Sequence, residues 1–211
     1  MNSKYTSRHD FPDDLPNTAT FFCILCGAMP VEKVREEDGT VHYQCSACGG
    51  KAERFLAWDP GMEQYFNEAG ELVHSGGGVI VKNQKSEILL FKQAKYPFLW
   101  TVPGGHRDVG EAPALTATRE LFEETKIAPE KLQLVFSGEI RGDSCAGGAD
   151  IHYWYAYLCQ VPDGTEPQLD VDEGREWGWF SLESLPELTM PVEYLLSLPE
   201  VRSSLYRSAN I

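Results

Sequence analysis

The sequence predicts an α+β fold in which a small cysteine-bearing unit precedes a larger domain of short strands. Three observations predict it. Two Cys-x-x-Cys pairs, Cys23/Cys26 and Cys45/Cys48, flank a hairpin pattern near the N-terminus. Short β-prone runs recur between turn signals from Val79 to Leu182. One patterned helix, starting at Pro113, interrupts those runs and carries a cluster of glutamates. With 211 residues, 42% of them hydrophobic, the chain is long enough for one or two domains and a real core.

Residues 1–20 are polar, contain Pro12 and Pro16, and read as a flexible tail. Residues 21–57 hold the paired cysteines, with 18 residues between Cys26 and Cys45, a spacing suited to a four-thiolate metal site. Gly27 and Gly49 follow the two pairs and allow tight turns that aim backbone N–H groups at sulfur. Between them, Val31–Val34 and Thr40–Tyr43 alternate about Glu37-Asp38-Gly39 as a hairpin would. The segment resembles a zinc ribbon. Four thiolates close a tetrahedral Zn²⁺ site, so the metal is expected to be structural and to supply folding energy that so short a segment lacks. Two disulfides are the alternative, disfavoured by a polar N-terminus with no secretory signal.

Residues 58–75 join the two units. Asp59-Pro60-Gly61 is a turn, and Gln64–Phe66 with Glu71–His74 form a hairpin about Asn67–Gly70, which makes His74 a strand-surface residue. The larger domain is expected over 76–200, with 201–211 as a C-terminal tail. Val79–Val81 and Glu87–Phe91 are strands on either side of a turn at Asn83–Ser86. Pro103, Gly104 and Gly105 force a bend ahead of the helix. Leu132–Phe136, Ile151–Leu158 and Glu176–Leu182 read as further strands, with a last helix near Pro191–Leu198. The glycine-rich loop 138–150 offers Arg141 as a phosphate contact, with a plain solvated arginine as the equal alternative. Cys145 and Cys159 lack metal-ligand spacing and read as a loop thiol and a core thiol.

Pro113 suits a first helical position because it leaves no N–H unpaired. At about 100° per residue, Ala114, Leu115, Thr118, Leu121 and Phe122 gather on one side. Glu120, Glu123 and Glu124 gather on the other. Like charges at i,i+4 cost an exposed helix roughly 0.2–0.5 kcal/mol per pair, so this face is frustrated unless a cation occupies it. Carboxylate oxygens are ligands for hard cations such as Mg²⁺, which keep some waters and bridge to substrate phosphates.

The stretch from Gly105 to Ile127 resembles the Nudix box: a glycine, five residues, Glu, seven residues, then Arg-Glu-aliphatic-any-Glu-Glu-any-Gly-aliphatic. Gly105, Glu111, Arg119, Glu120, Leu121, Glu123, Glu124 and Ile127 fall in register. Lys126 departs, standing where the family has a glycine suited to a left-handed helix end. The resemblance implies a Nudix α/β/α sandwich with a mixed sheet. It implies a pyrophosphohydrolase that cleaves a phosphorus–oxygen bond of a nucleoside diphosphate linked to another moiety. Mg²⁺ or Mn²⁺ would be held by Glu120, Glu123, Glu124 and the Gly104 carbonyl. Glu120, or a water it orders, would act as base, Arg119 would orient that carboxylate, and Gly105 and Glu111 would support the loop. A carboxylate outside the box often completes such sites; Asp172, Glu173 and Glu176 are unranked candidates. A ribbon ahead of a Nudix domain is similar to the NADH pyrophosphatases, but their downstream Ser-Gln-Pro-Trp-Pro-Phe-Pro signature is missing, so no particular nucleotide follows. Tyr96, Trp100, Tyr153 and Tyr155 are candidates for stacking on a base or for the core.

A net charge of −14 argues against general binding to nucleic acid and makes an anionic substrate depend on metal ions for local neutralisation. No apolar run is long enough for a membrane span, and a cytoplasmic location is the expectation. The expected partner is a small nucleoside diphosphate derivative, with a homodimer left open. Two alternatives remain: a non-catalytic nucleotide sensor of the same fold, using the ribbon to dock on protein or nucleic acid, and a related isomerase acting on a prenyl diphosphate.

Overall fold

The structure, a computed structural model, describes residues 5–206. Glycine turns cut the N-terminal part into five brief strands: β1 (Thr20–Phe22), β2 (Val31–Arg35), β3 (Val41–Cys45), β4 (Lys51–Ala52) and β5 (Leu56–Trp58). β2, β3 and β4 form one antiparallel sheet, in which Val31 lies opposite Cys45 and Arg35 opposite Val41, while β1 pairs with β5. The segment expected to be a loose tail is instead seated. Phe11, 6% exposed, meets Phe22, Trp58 and Phe66 edge-on at centroid distances of 6.0, 6.3 and 5.7 Å. Leu72 donates to the Thr6 carbonyl, and Thr6 N–H donates to Asp150. One aromatic ring carries enough apolar area to anchor an otherwise polar segment. Residues 1–4 of that expected tail lie outside the described residues.

Beyond the ribbon come β6 (Gln64–Phe66), β7 (Leu72–Lys82), β8 (Ile88–Gln93), β9 (Trp100–Thr101), β10 (Gly104–His106), α1 (Pro113–Thr125), β11 (Gln133–Arg141), β12 (Ile151–Gln160), β13 (Gly174–Phe180), α2 (Met190–Ser197) and α3 (Pro199–Tyr206). β6 and β7 make the expected hairpin, but β7 runs straight through the boundary placed at Gly76. The sheet order is β11-β12-β7-β8-β13, with β6 and β10 on β7 and β9 on β8. β12 lies parallel to β7 and the other pairings are antiparallel, so the sheet is mixed.

Alternation along β7 sorts its side chains to two faces. Val79 and Val81 pack with Ala117 and Leu121 of α1, while Ile80 packs with Val192 and Leu196 of α2 and Val201 and Leu205 of α3. Each of these burials stabilises the fold by about 1.5–3 kcal/mol, and together they make an α/β/α sandwich. α3 begins at Pro199 and takes up residues expected to form a tail; residues 207–211 lie outside the described residues. Among the described residues no helix is long and apolar enough to cross a membrane.

α1 starts at Pro113 as expected, yet it docks on a different face. Leu115 is 62% and Phe122 49% exposed, whereas Thr116, Ala117, Leu121, Glu124 and Thr125 are buried. The helix crosses β7 at Gly77, where an added Cβ would stand in van der Waals contact with the Pro113 carbonyl oxygen at 3.4 Å and Thr116 Cγ2 at 3.5 Å, and Ala117 is fully buried there. The rotation turns Glu120 and Glu124 inward and leaves Glu123 on the outer edge, its side chain 58% exposed.

The ribbon is fastened to the larger domain at two places. Val41 N–H donates to the Ala94 carbonyl at 2.7 Å, and Lys33 and Arg35 pair with Asp172. Phe55 and Ala57 donate to the carbonyls of Ala146 and Gly147, both at 2.9 Å.

Candidate active site

Between the ribbon and the main sheet lies a cleft of about 800 Å³. Its floor is the β10–α1 unit, and the box residues meet there around Arg119. The Arg119 guanidinium holds Glu111 with two bonds, Nε to Oε1 at 3.0 Å and Nη2 to Oε2 at 2.9 Å. Its Nη1 reaches Glu120 Oε1 at 2.6 Å and Glu123 Oε2 at 3.4 Å, and Nη2 also donates to the His106 carbonyl at 3.1 Å. Glu111 accepts from Thr116 Oγ1 at 2.8 Å and from Asp108 N–H at 3.3 Å, which closes the loop onto the helix start. Arg119, then Thr116, hold the Glu111 carboxyl down at about 2.

The inward glutamates are strained in the opposite sense. Burial pushes Glu120 above the ordinary carboxylate range, against the pull of Arg119. Burial, then the charges of Glu173 and Glu120, push Glu124 well above it; the Gly104 N–H, 2.8 Å from Glu124 Oε2, and Lys95 offset part of this. Glu120 lies against bare backbone: a Cβ on Gly105 would fall 2.5 Å from its carboxylate carbon. Lys126 closes α1 at φ 60°, in the left-handed conformation that its glycine-like position calls for.

The three acidic candidates outside the box separate cleanly. Glu173 lines the cleft, with both oxygens 2.7 Å from Lys95 Nζ. Asp172 is held by Lys33 and Arg35 of the ribbon, and Glu176 pairs with Lys92 at 3.2 Å. Arg141 is not brought to the cleft. Its guanidinium is taken up by Glu71 at 2.6 Å and Glu139 at 2.8 Å. Among the aromatic candidates, Tyr96 lines the cleft, Trp100 packs on Phe180, and Tyr153 and Tyr155 line a separate small hollow. Sequence reasoning missed Tyr43, Phe55 and Phe21 of the ribbon, which line the cleft opposite the carboxylates. Tyr43 and Phe55 have ring centroids 4.4 Å apart.

Cys23, Cys26, Cys45 and Cys48 come together as free thiols with all four sulfurs within 4.8 Å of one another. Cys23–Cys48 and Cys26–Cys45 are 3.9 and 3.8 Å apart, near the ~3.8 Å edge of a tetrahedron with ~2.3 Å Zn–S bonds and far beyond a disulfide. Gly27 and Gly49 turn at φ 72° and 69°, and the Leu25 and Gly50 N–H groups reach Cys23 and Cys48 sulfur at 3.4 Å. The cluster fits a zinc ribbon. His74 is fully buried rather than on a strand surface, and Cys145, a loop thiol as expected, sits among three imidazoles despite lacking any metal-ligand spacing in the sequence. Cys159 is a core thiol, as expected.

The fold and box geometry define a Nudix protein, and the chain belongs to that family: the NUDIX domain model matches residues 73–199. The chain is 30% identical over 120 residues to an RNA pyrophosphohydrolase of Agrobacterium fabrum, a match covering 45% of this chain and 65% of that protein. It is 33% identical over 101 residues to diphosphoinositol polyphosphate phosphohydrolase 3-beta of Bos taurus, covering 47% of this chain and 58% of the relative. Each match thus spans less than two thirds of the relative's length. A MutT Nudix hydrolase from Burkholderia pseudomallei superposes with a TM-score of 0.52 at 28% identity, covering 59% of this chain and 96% of that one.

Proposed function

We propose that this protein is a divalent-metal-dependent pyrophosphohydrolase that hydrolyses a nucleoside diphosphate linked to another moiety. One observation carries the reading: Glu120, Glu123, Glu124 and Glu173 surround one cleft, yet the cations nearby, Arg119 and Lys95, leave buried Glu124 without a direct ion pair. The donor set is all hard oxygen, as Mg²⁺ or Mn²⁺ requires, and the missing Cβ at Gly105 leaves room for the Glu120 carboxylate. Glu120, Glu123, Glu124, Glu173 and the Gly104 carbonyl would hold the ions. Bound there, they would neutralise the diphosphate and acidify water.

The chain's own groups would do the rest. Arg119 fixes Glu120 in one orientation, and burial raises that carboxyl's proton affinity, which suits it to take a proton from the attacking water. Lys95 holds Glu173 toward the cleft. The Tyr43, Phe55 and Phe21 wall offers aromatic rings, mutually tilted by 53° and 75°, one of which a base can stack on, placing the diphosphate over the carboxylates. The four ribbon thiolates would hold Zn²⁺, which keeps that wall in place. The site would be complete for a small-molecule substrate without nucleic acid, in keeping with the charge of −14.

The test is a panel of NADH, ADP-ribose, dinucleoside polyphosphates, sugar nucleotides, nucleoside triphosphates and 5′-triphosphorylated RNA, with Mg²⁺ and with Mn²⁺. Release of a nucleoside monophosphate from at least one linked diphosphate is expected. Tight binding without turnover of any member would instead point to a sensor.

A further inference from the structure

A second set of metal-ligating side chains lies at one side of the cleft, which His106, Cys145 and His152 help to line, and it shares no residue with the box carboxylates or the ribbon cysteines. His74 comes from β7, His106 from β10, His152 from β12 and Cys145 from the glycine-rich loop between β11 and β12. One ligand atom from each lies within 4.8 Å of the others. His74 Nδ1 is 3.3 Å from His106 Nε2 and 3.7 Å from Cys145 Sγ. A tetrahedron with ~2.1 Å Zn–N and ~2.3 Å Zn–S bonds has edges of roughly 3.3–3.6 Å.

We propose that His74, His106, Cys145 and His152 form a second, structural zinc site that ties the 142–150 loop to three strands of the sheet.

The surroundings support a cation at the centre. His74 and His152 are buried, and His74 Nδ1 is the ring nitrogen that faces both His106 Nε2 and Cys145 Sγ. Three imidazole nitrogens and one sulfur converge on a shared point, where a cation would satisfy their lone pairs in a medium of low dielectric. Behind His152, Nδ1 lies 3.0 Å from the Asp143 carbonyl and 3.2 Å from its Oδ2, which also accepts from Trp154 Nε1 at 2.6 Å. A carboxylate behind a ligating histidine is a recurring outer support of zinc sites, fixing which ring nitrogen faces the metal.

Four protein ligands leave no open position, so the ion holds structure in place rather than activating water. What it holds is the joint of the molecule. The carbonyls of Ala146 and Gly147 receive Phe55 and Ala57 of the ribbon, and Arg54 donates to the Cys145 carbonyl. On the other side the His106 carbonyl receives Arg119. The ion would thus position both the aromatic wall and the arginine that steadies Glu120.

The experiment uses the full chain, purified without a polyhistidine tag, equilibrated with zinc and freed of loosely held metal. Elemental analysis should find two zinc ions per chain. Zinc K-edge absorption on the same sample should show three nitrogen to five sulfur neighbours, from three histidines and five cysteines over the two sites. Cys145→Ser and His152→Gln should each fall to one zinc with a sulfur-only shell. One zinc per wild-type chain surrounded by sulfur alone would overturn the proposal, and this readout stands even where the variants do not fold.

Discussion

The backbone N–H of Gly104 donates to Glu124 Oε2 at 2.8 Å, tying the bend before the box to the most deeply buried glutamate of α1. That single bond is what Glu124 has in place of a cation, and burial with Glu173 and Glu120 nearby raises its proton affinity well above normal. A carboxyl raised in the folded state loses stability as pH climbs above its unfolded value of 4.5. Above that value the buried carboxyl therefore destabilises the metal-free protein. Glu124→Gln keeps an acceptor for Gly104 and removes the charge. Its melting temperature in magnesium-free buffer should rise above wild type, its gain on adding Mg²⁺ should shrink, and turnover should fall by about 10²–10³-fold. Calorimetry with and without Mg²⁺ reads the first two.

Gly105→Ala tests the cradle under Glu120. The added Cβ would lie 2.5 Å from the carboxylate carbon, so the side chain must move while the strand pairing of Gly105 with Gly77 has no reason to change. A displacement near 1 Å at a reacting group is expected to lower kcat by roughly 10²-fold. Circular dichroism should stay that of wild type. A variant with wild-type kcat would show that Glu120 need not sit where it does.

Glu111 and Arg119 predict an acid signature. Glu111 is held down at about 2, chiefly by Arg119, against 4.5 when unfolded. A depressed carboxyl contributes stability that is complete above 4.5 and lost as pH falls through about 2. Glu111→Gln should therefore be less stable than wild type at neutral pH, and the gap between them should close between pH 4.5 and 2. Denaturant unfolding at a series of pH values measures it; a gap that does not vary with pH would remove the ion pair as its cause.

The parts of this molecule legible in the sequence are those whose residues lie along one element. The box is a spacing on one loop and one helix, so Arg119, Glu120, Glu123 and Glu124 could be placed together before any coordinates. The two cysteine pairs were legible for the same reason. Which face of α1 docks was not, because it is set by packing on β7, a strand distant in the sequence, where Ala117 and Leu121 are buried while Leu115 stays exposed. Periodicity alone favours the greasier face. Glu173 was indistinguishable from Asp172 and Glu176 until ion pairs with Lys33, Arg35 and Lys92 accounted for the other two. His74, His106, Cys145 and His152 share no short spacing at all, since sheet pairing of β7 with β10 and β12 brings them together.

Lys126→Gly restores the residue that the box has at this position. Lys126 holds φ 60° at the end of α1, where its N–H caps the Phe122 carbonyl. A side chain in this conformation costs about 1–2 kcal/mol, a penalty that glycine escapes. Against this, the lysine contributes a bond from Nζ to the Glu123 carbonyl at 3.1 Å and a position 5.5 Å from the Phe122 ring centroid. Both contacts are exposed, so together they offset about 0.5–1 kcal/mol. Glycine also gives back some unfolded-state entropy, about 0.4–1 kcal/mol. The terms nearly cancel, leaving a net between a loss and a gain of about 1 kcal/mol, so for a chain of this size the melting temperature should stay within about 4 °C of wild type. Lys126→Ala separates the two contributions: it loses the same contacts and keeps the backbone penalty, so it should melt below both wild type and Lys126→Gly. If both variants melt at the same temperature, the left-handed turn is not what sets the stability of this helix end.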